Sequence, residues 1–314
     1  MTDCVIALDV GGTAMKGALV DRDLRVLAEL RQATPRGEGT AALVDAMVTV
    51  LEELAELAAE SGAGAMIVRG TGVAVPGIVD EVTGLAVDSE NLGWRDLPLA
   101  EILTARTGTR VAIGHDVRSG ARAEMAIGAA QGARDLLFMP IGTGISFAAI
   151  CDGHLISGGG YAGELGHICA EPNGAPCPCG ARGCLETVAS AASIATRFAA
   201  RSGRSAGGAA DVVEWLDKGD PDARAVWDEA VAALAAALSI AVTLFGPELI
   251  VIGGGLAESG DRLLVPLGEA LEAHLTFQRR PRLVHAALGD GAGCLGAALL
   301  AWTQADEEAG APGS

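Results

Sequence analysis

The sequence is poor in positive charge. Its 22 lysine and arginine residues face 40 aspartate and glutamate residues, which gives a formal net charge of −18 and a pI near 4.6. So acidic a chain repels phosphate backbones and anionic lipid headgroups. The composition therefore argues against nucleic acids and membrane surfaces as partners.

Aromatic residues are also scarce, at 3% of the chain, although hydrophobic residues make up 50%. That hydrophobic fraction excludes a largely disordered protein and supplies a core built mainly from alanine, valine and leucine. The 314 residues exceed the usual size of one domain, so two domains that share a cleft are expected.

The chain lacks the sequence features of export and membrane insertion. No basic segment precedes the first apolar run, which begins at Cys4, so no signal peptide is expected. No apolar run reaches the roughly 20 residues of a spanning helix. The richest candidate, Ala230 to Phe245, is predicted to be a buried helix. These absences predict a soluble, cytoplasmic protein.

Glycine, by contrast, is abundant, with 44 residues, many of them in short motifs after strand-like runs. A strand pattern at the N-terminus leads into Gly11-Gly12-Thr13 and then into a second strand pattern. The same order returns around Gly142-Thr143-Gly144, which predicts a structural repeat. Because a strand and not a helix follows each turn, P-loop and Rossmann sites are excluded.

The glycine turns are candidate phosphate sites. Their backbone amides could approach phosphate oxygens, Thr13 could donate its hydroxyl, and Asp9 could hold a magnesium hydration shell. One strand that ends in two glycines is more often a simple hairpin. A third turn at residues 253–255, after another strand pattern, favours a nucleotide cleft.

A cluster of cysteines predicts a metal site. Tetrahedral zinc takes four nitrogen or sulfur ligands, and His167, Cys177, Cys179 and Cys184 could supply them. The alternative is a disulfide with a spare thiol, but closely spaced cysteines make a strained bridge and the cytosol is reducing. The metal would fix a loop and take no part in chemistry.

Three acidic residues form a further candidate site. Asp116 directly follows a strand pattern, Glu164 precedes His167 by three residues, and Glu186 follows Cys184 by two. Each acid taken alone is typical of a solvated surface. A metal-stiffened loop that carries two of them suits a pocket for sugar hydroxyls, which carboxylates and amides such as Asn91 can hold.

Together these motifs resemble the ROK family (repressors, open reading frames and kinases) over essentially the whole chain. The segments that carry the resemblance are Asp9-Val10-Gly11-Gly12-Thr13 with Lys16, Ile141-Gly142-Thr143-Gly144, Ile252-Gly253-Gly254-Gly255, Glu164-Leu165-Gly166-His167, and the run from Cys177 to Glu186. The last two are the most specific.

The resemblance implies an α/β protein with the actin-like ATPase (ribonuclease-H-like) fold, in which two domains surround a nucleotide and sugar cleft. The small N-terminal domain would span residues 1–116 and take back a C-terminal helix at about 292–305. The large domain would span 117–291 and carry the zinc loop 164–186, and 306–314 would be a disordered tail. A homodimer or homotetramer is implied.

The resemblance also assigns roles to residues. Asp116 is expected to be the catalytic base. The substrate-binding residues would be Gly77, Asn91, His115, Asp116, Glu164, His167 and Glu186. ATP with Mg²⁺ would be held by Asp9, Gly11, Gly12, Thr13, Lys16, Gly142, Thr143, Gly144, Gly254 and Gly255. Structural zinc would be held by His167, Cys177, Cys179 and Cys184.

The implied activity is phosphorylation of a hexose by ATP, with the 6-hydroxyl of glucose as acceptor and a place in glycolysis. N-acetylglucosamine and N-acetylmannosamine are alternative substrates. The family usually has asparagine where His115 precedes Asp116, so sugar preference could differ here. A sugar-sensing repressor is a remote alternative, because Asp9 lies too near the start for a preceding DNA-binding domain. A sugar-binding protein without catalysis is another, but Asp116, Thr13 and Thr143 are all present.

Overall fold

The computed structural model describes residues 2–60 and 66–310, which form two compact units. The first unit holds the chain up to Ile127, the short segment Ser157–Tyr161, and the chain from Asp290 onward. The second unit holds Gly128–Ile156 and Ala162–Gly289.

The first unit is built on a mixed sheet. Its strands are β1 (Thr2–Val10), β2 (Ala14–Asp21), β3 (Val26–Ala33), β4 (Met66–Val75), β5 (Ile78–Asp80), β6 (Leu85–Ser89), β7 (Trp94–Leu97) and β8 (Val111–His115). Its helices are α1 (Thr40–Glu60), α2 (Leu99–Thr107), α3 (Asp116–Ile127) and, at the end of the chain, α9 (Ala292–Gly310). The main sheet has the order β3-β2-β1-β4-β8, and β5, β6 and β7 form a smaller antiparallel sheet.

The main sheet of the first unit is covered on both faces, and the alternation along β1 shows how. Leu8 belongs to a buried cluster that includes Met47 of α1. Val5 and Ala7 belong to a second cluster that includes Ala298 of α9. Because successive side chains of a strand point to opposite faces, Asp9 follows Val5 and Ala7 onto the α9 face.

The second unit contains a sheet of the same design. Its strands are β9 (Leu136–Pro140), β10 (Ala148–Cys151), β11 (His154–Leu155), β12 (Leu249–Gly253) and β13 (Arg282–His285). Its helices are α4 (Glu186–Ala189), α5 (Ala191–Ser202), α6 (Ala209–Asp217), α7 (Pro221–Phe245) and α8 (Asp261–His274). The sheet order is β11-β10-β9-β12-β13.

The strand orders confirm the repeat that the glycine motifs predict. In each sheet three antiparallel strands are followed by two parallel ones, with β9 in the place of β1 and β12 in the place of β4. Each unit therefore carries one glycine turn between the two strands of its first hairpin. The two hairpins present Thr13 and Thr143, both exposed, at equivalent positions.

Helix α7 is the long core helix of the second unit. The side chain of Asp220 accepts hydrogen bonds from the amides of Asp222 and Ala223, each at 3.0 Å, and Pro221 starts the first turn. Gly246, at φ 56°, ends the helix in the left-handed conformation.

By length and composition, α7 is the one helix within residues 2–60 and 66–310 that could span a membrane. It begins at Pro221, before the expected start at Ala230, and so is 25 residues long. The buried core helix of a soluble protein meets the same criteria of length and composition. In α7, 44% of the most apolar window is buried.

The structure corrects the expected domain boundary after residue 116, because α3 belongs to the first unit and not to the second. A methyl group placed on Gly296 of α9 would overlap the carbonyl oxygen of Ser119 in α3. The two helices therefore pack backbone against backbone, which fixes α3 to the unit that contains α9.

The structure also corrects the expectation of a disordered tail at 306–314. Residues 306–310 continue α9. Asp306 accepts a hydrogen bond from Arg22 at 2.9 Å, and Glu308 accepts one from Arg110 at 3.0 Å, so the last turns of the helix are tied to the first unit. Residues 311–314 lie outside the described residues.

The close approach of α3 and α9 can be tested by adding one methyl group. We expect Gly296→Ala to lower the free energy of unfolding by about 1–3 kcal/mol, because the helices must separate. Gly268→Ala is the matched control: Gly268 also lies in a helix, but a methyl group there would approach Leu283 only to 4.0 Å. This control should stabilise the protein by up to about 1 kcal/mol. Equal denaturation midpoints for the two variants would contradict the tight packing.

Candidate functional site

The first glycine turn is fastened by residues that follow β3. The Thr34 hydroxyl donates to the carbonyl of Gly11 at 2.6 Å, and the Thr34 amide donates to the carbonyl of Thr13 at 3.1 Å. The Arg36 guanidinium donates to the carbonyl of Gly12. The turn is thus held from one side while Thr13 stays exposed. Sequence reasoning missed Thr34 and Arg36, because they contact the turn only through the fold.

Asp9 lies near the end of β1 beside the start of α9. A methyl group on Gly293 would come within 2.6 Å of its carboxylate, so only glycine allows this approach. The pKa of the Asp9 carboxyl is raised from 3.8 to about 7. Burial is the largest cause, the charges of Asp116 and Asp290 act in the same direction, and Lys16 acts in the opposite direction. Asp116 therefore lies near enough to Asp9 for its charge to act on that carboxyl.

Lys16 has a partner that sequence reasoning missed. Its ammonium forms an ion pair with the Asp290 carboxylate and also donates to the Asp290 carbonyl at 3.0 Å. Arg31 lies 3.6 Å from the same carboxylate. Asp290 is 75% exposed, so this pair can exchange for another anion at little cost.

Asp116 is the first residue of α3, directly after β8. Its Oδ1 accepts the Val117 amide at 2.7 Å and lies 3.4 Å from Nε2 of His115. The His115 side chain is 5% exposed and the Asp116 side chain 31% exposed. The carboxylate is thus held by one oxygen and still reaches solvent.

The other expected substrate residues of the first unit lie in turns. Gly77, between β4 and β5, has φ 102°, and a methyl group there would overlap the carbonyl oxygen of Asp88. Glycine is therefore required for the fold at this position. Asn91 is exposed in the turn between β6 and β7.

In the second unit, the second glycine turn meets Glu186. The Gly142 amide donates to the Gly144 carbonyl at 2.9 Å, which closes the turn. Oε2 of Glu186 accepts the Ile145 amide at 2.9 Å and would lie 2.5 Å from a methyl group on Gly144. The predicted phosphate motif and one predicted sugar residue are thus adjacent.

The third glycine turn packs on the same segment. Gly254, at φ 77°, is so close to Ile141 that a methyl group there would lie 2.5 Å from the Ile141 carbonyl oxygen. The amide of Ile141 donates to Gly253 at 2.9 Å, and the Ile141 carbonyl accepts the Leu256 amide at 2.9 Å. Gly255 is exposed. The structure therefore brings the second and third glycine motifs together, as the sequence predicts.

The four predicted metal ligands converge. The donor atoms of His167, Cys177, Cys179 and Cys184 all lie within 4.8 Å of one another. Nδ1 of His167 is 3.6 Å from Sγ of Cys177, and the sulfurs of Cys179 and Cys184 are 3.6 Å apart. Zinc–sulfur bonds of 2.3 Å in a tetrahedron place two sulfurs about 3.8 Å apart. The donor set and its spacing therefore fit a tetrahedral metal.

His167 offers a different nitrogen to each of its two neighbours. Nδ1 belongs to the metal-ligand cluster, whereas Nε2 lies 3.8 Å from Oε2 of Glu164. Glu164 and His167 are each partly exposed, at 39% and 34% of the side chain. The two nitrogens of this imidazole therefore face different neighbours, and only Nδ1 approaches a cysteine sulfur of the cluster.

The raised pKa of Asp9 predicts a pH effect on stability. A carboxyl whose folded pKa exceeds its unfolded value favours folding while protonated, so the fold loses stability as the pH rises from about 4 to about 7. In magnesium-free buffer, Asp9→Asn should lose less stability than the wild type between pH 5 and 8, by up to about 3 kcal/mol. Thermal unfolding across that range measures it. The exposed Asp23→Asn serves as control, and an identical pH dependence for Asp9→Asn and wild type would contradict the buried carboxylate.

Comparison with known proteins places these features in a family. Residues 5–304 match the ROK family. A glucokinase of Halalkalibacterium halodurans is 33% identical over 316 residues, which cover 94% of each chain. An N-acetylmannosamine kinase of Salmonella typhimurium is 32% identical over 305 residues, which cover 94% of this chain and 97% of that protein.

Among solved structures, a ROK family glucokinase from Streptomyces griseus in complex with glucose and AMPPNP has a TM-score of 0.80 to this chain. It is 30% identical, and the match covers 96% of this chain and 99% of that one. This similarity confirms the expected actin-like fold. Matched over nearly its whole length in sequence and in fold, the chain belongs to the ROK family.

Proposed function

We propose that the chain is an ATP-dependent hexose kinase in which Asp116 is the general base. The observation that carries this proposal is the placement of Asp116 at the start of α3, held through Oδ1, partly exposed, and close enough to Asp9 for their charges to interact. Its relatives include a glucokinase, and a solved relative holds glucose together with an ATP analogue.

In the proposed reaction a sugar hydroxyl donates its proton to Asp116 as its oxygen attacks the γ-phosphorus. The new bond joins the sugar oxygen to phosphorus, and the bond from phosphorus to the β–γ bridging oxygen breaks, so that ADP leaves. Both named contacts of Asp116 engage Oδ1, and we therefore assign proton acceptance to Oδ2. Positioning supplies most of the acceleration, because the transition state is loose.

The phosphate chain of ATP would be held by the glycine turns and their threonines. Thr13 and Thr143 are exposed at equivalent hairpins, and the amides around them can donate to phosphate oxygens. Lys16 would exchange Asp290 for a phosphate, because an exposed ion pair contributes little. Mg²⁺ near Asp9 would favour the ionised carboxylate, which burial and Asp116 otherwise oppose.

We assign zinc to the cluster of His167, Cys177, Cys179 and Cys184, because its donor types and spacing suit that ion. Bound zinc would supply a structural cross-link for the loop and no chemistry. With Nδ1 as the ligand, His167 would carry its proton on Nε2 and donate it to a sugar oxygen. Glu164 and Glu186, the first and last residues of the loop 164–186, would accept hydrogen bonds from sugar hydroxyls.

Glucose, phosphorylated at the 6-hydroxyl, is the proposed substrate, and N-acetylmannosamine is the second candidate. The identities of 33% to a glucokinase and 32% to an N-acetylmannosamine kinase support the two nearly equally. The test is ADP release from Mg·ATP with glucose, mannose, fructose, N-acetylglucosamine and N-acetylmannosamine. One sugar with a much higher kcat/KM supports the kinase and names its substrate. Turnover with none of them, or fast ATP hydrolysis without sugar, contradicts it.

Asp116→Asn tests the base. The amide keeps the size and the hydrogen-bonding oxygen but cannot accept a proton at neutral pH. We expect kcat to fall by about 10²–10⁴-fold while the KM values for sugar and ATP change little. Steady-state kinetics with the preferred sugar measures both, with the exposed Asp23→Asn as control. A kcat near that of the wild type would remove Asp116 from this role.

Cys179→Ser tests the metal assignment. The wild-type chain should carry about one zinc ion, and the serine variant should lose it, because a hydroxyl is a poor substitute for a thiolate. Metal analysis and sugar KM are the two readouts, and KM should rise as the loop loosens. Cys151→Ser, outside the cluster, should retain both zinc and KM. Full zinc content in Cys179→Ser would contradict the ligand set.

A further inference from the structure

The Glu81 carboxylate, just after β5, ties together His115, directly before Asp116, and Arg118, two residues after it. Its Oε1 accepts the backbone amide of His115 at 3.1 Å and the Arg118 Nε at 2.7 Å. Its Oε2 accepts a guanidinium nitrogen of Arg122 at 2.8 Å. One carboxylate therefore holds the last residue of β8 and the first turns of α3.

The ion pair of Glu81 with Arg118 is buried, so its loss would be costly. The Arg118 side chain is 1% exposed and the Glu81 side chain 13% exposed. Arg118 also donates to the carbonyl oxygens of Val79 at 2.9 Å and Gly160 at 3.3 Å, so the guanidinium is embedded in the first unit. Removing one partner of a buried ion pair leaves an uncompensated charge, which is strongly unfavourable.

Glu81 is ionised in this setting. Burial acts to raise the pKa of the Glu81 carboxyl, but the charges and hydrogen bonds of Arg122 and Arg118 outweigh it, and the net pKa is lowered. The carboxylate thus stays charged at neutral pH and keeps both guanidiniums in place.

His115 extends the arrangement to the base. Its Nδ1 lies 3.4 Å from the Arg118 amide and its Nε2 lies 3.4 Å from Oδ1 of Asp116. With Nδ1 as acceptor, the ring proton is on Nε2 and faces Asp116. The backbone of His115 and the side chain of Arg118 both depend on Glu81, so the position of the Asp116 carboxylate depends on it as well.

We propose that Glu81 is a positioning residue for phosphoryl transfer, which orients Asp116 through His115 and Arg118. This inference rests on the proposed kinase activity and on Asp116 as its base. Glu81 itself touches no reactant. It acts because a displacement of about 1 Å at a reacting group can cost about 10²-fold in rate.

The test compares the wild type, Glu81→Gln, Asp116→Asn and the double variant, with kcat and both KM values per folded protein. Glutamine keeps the shape of Glu81 but removes the charge that holds Arg118. We expect Glu81→Gln to lower kcat by about 10–100-fold with little change in the KM for ATP. In the Asp116→Asn background the same change should have no further effect, because the group that Glu81 positions is already disabled.

Glu229→Gln is the matched control. In α7 of the second unit, Glu229 also accepts from two arginines, Arg197 and Arg201, each at 2.9 Å, and hydrogen bonding from Arg197 is the leading cause of its lowered pKa. The control removes the same kind of charge away from Asp116, so it should lower thermal stability and leave kcat unchanged.

The outcomes separate the two claims. If Asp116→Asn retains kcat, the proposed base is wrong. If Asp116→Asn loses kcat but Glu81→Gln does not, the positioning role is wrong. Equal fold losses from Glu81→Gln in both backgrounds also contradict it, because they indicate a structural effect independent of Asp116. Should Glu81→Gln fail to fold, Glu81→Asp replaces it, because aspartate keeps the charge but withdraws it by one methylene group. The same loss of kcat is expected in the wild-type background, and no further loss in the Asp116→Asn background.

Discussion

The burial of the Asp9 carboxyl, close to the charge of Asp116, is the physical constraint around which this part of the first unit is arranged. The strands β1, β4 and β8 run parallel in the sheet, so the residues at the ends of β1 and β8 lie along the same edge, with β4 between them. The fold brings the two charges together and buries one of them, at a cost visible in the raised pKa of Asp9. The positive charge of Lys16 stabilises the ionised form of Asp9 and so reduces that cost. The magnesium ion of the proposed substrate would reduce it further. A site of this kind is arranged for a positively charged ligand before any ligand arrives.

Glycine is what allows this arrangement. Gly293 and Gly296 let α9 approach Asp9 and α3 more closely than any side chain would permit. Gly254 plays the corresponding part in the second unit, where it brings the third glycine turn onto Ile141. The high glycine content and the scarcity of aromatic residues therefore have one explanation. At these glycines the backbone of one element packs directly against its neighbour, without a side chain between them.

The parts of the site that sequence reasoning found are those encoded locally. The glycine turns, the cysteine cluster and Asp116 after its strand are each visible within a few residues, and the repeat of the hairpin pattern follows from comparing two such segments. Contacts between distant segments were missed. Glu81 contacts Arg118, 37 residues further along the chain, and Lys16 contacts Asp290, 274 residues further along. No pattern within a few residues predicts either pair. The expected boundary after residue 116 placed α3 in the second domain for the same reason, since the packing of α3 on α9 joins segments far apart in the sequence.

The two nitrogens of His167 have a consequence for how the proposed zinc and the proposed sugar would affect one another. A ring that gives Nδ1 to a metal has its only proton on Nε2, so it can donate there and cannot accept. Any oxygen bound at Nε2 then senses whether the metal is present, and by thermodynamic reciprocity the metal is held more tightly when that oxygen is bound. With the proposed zinc at Nδ1 and the proposed sugar at Nε2, each ligand would therefore stabilise the binding of the other.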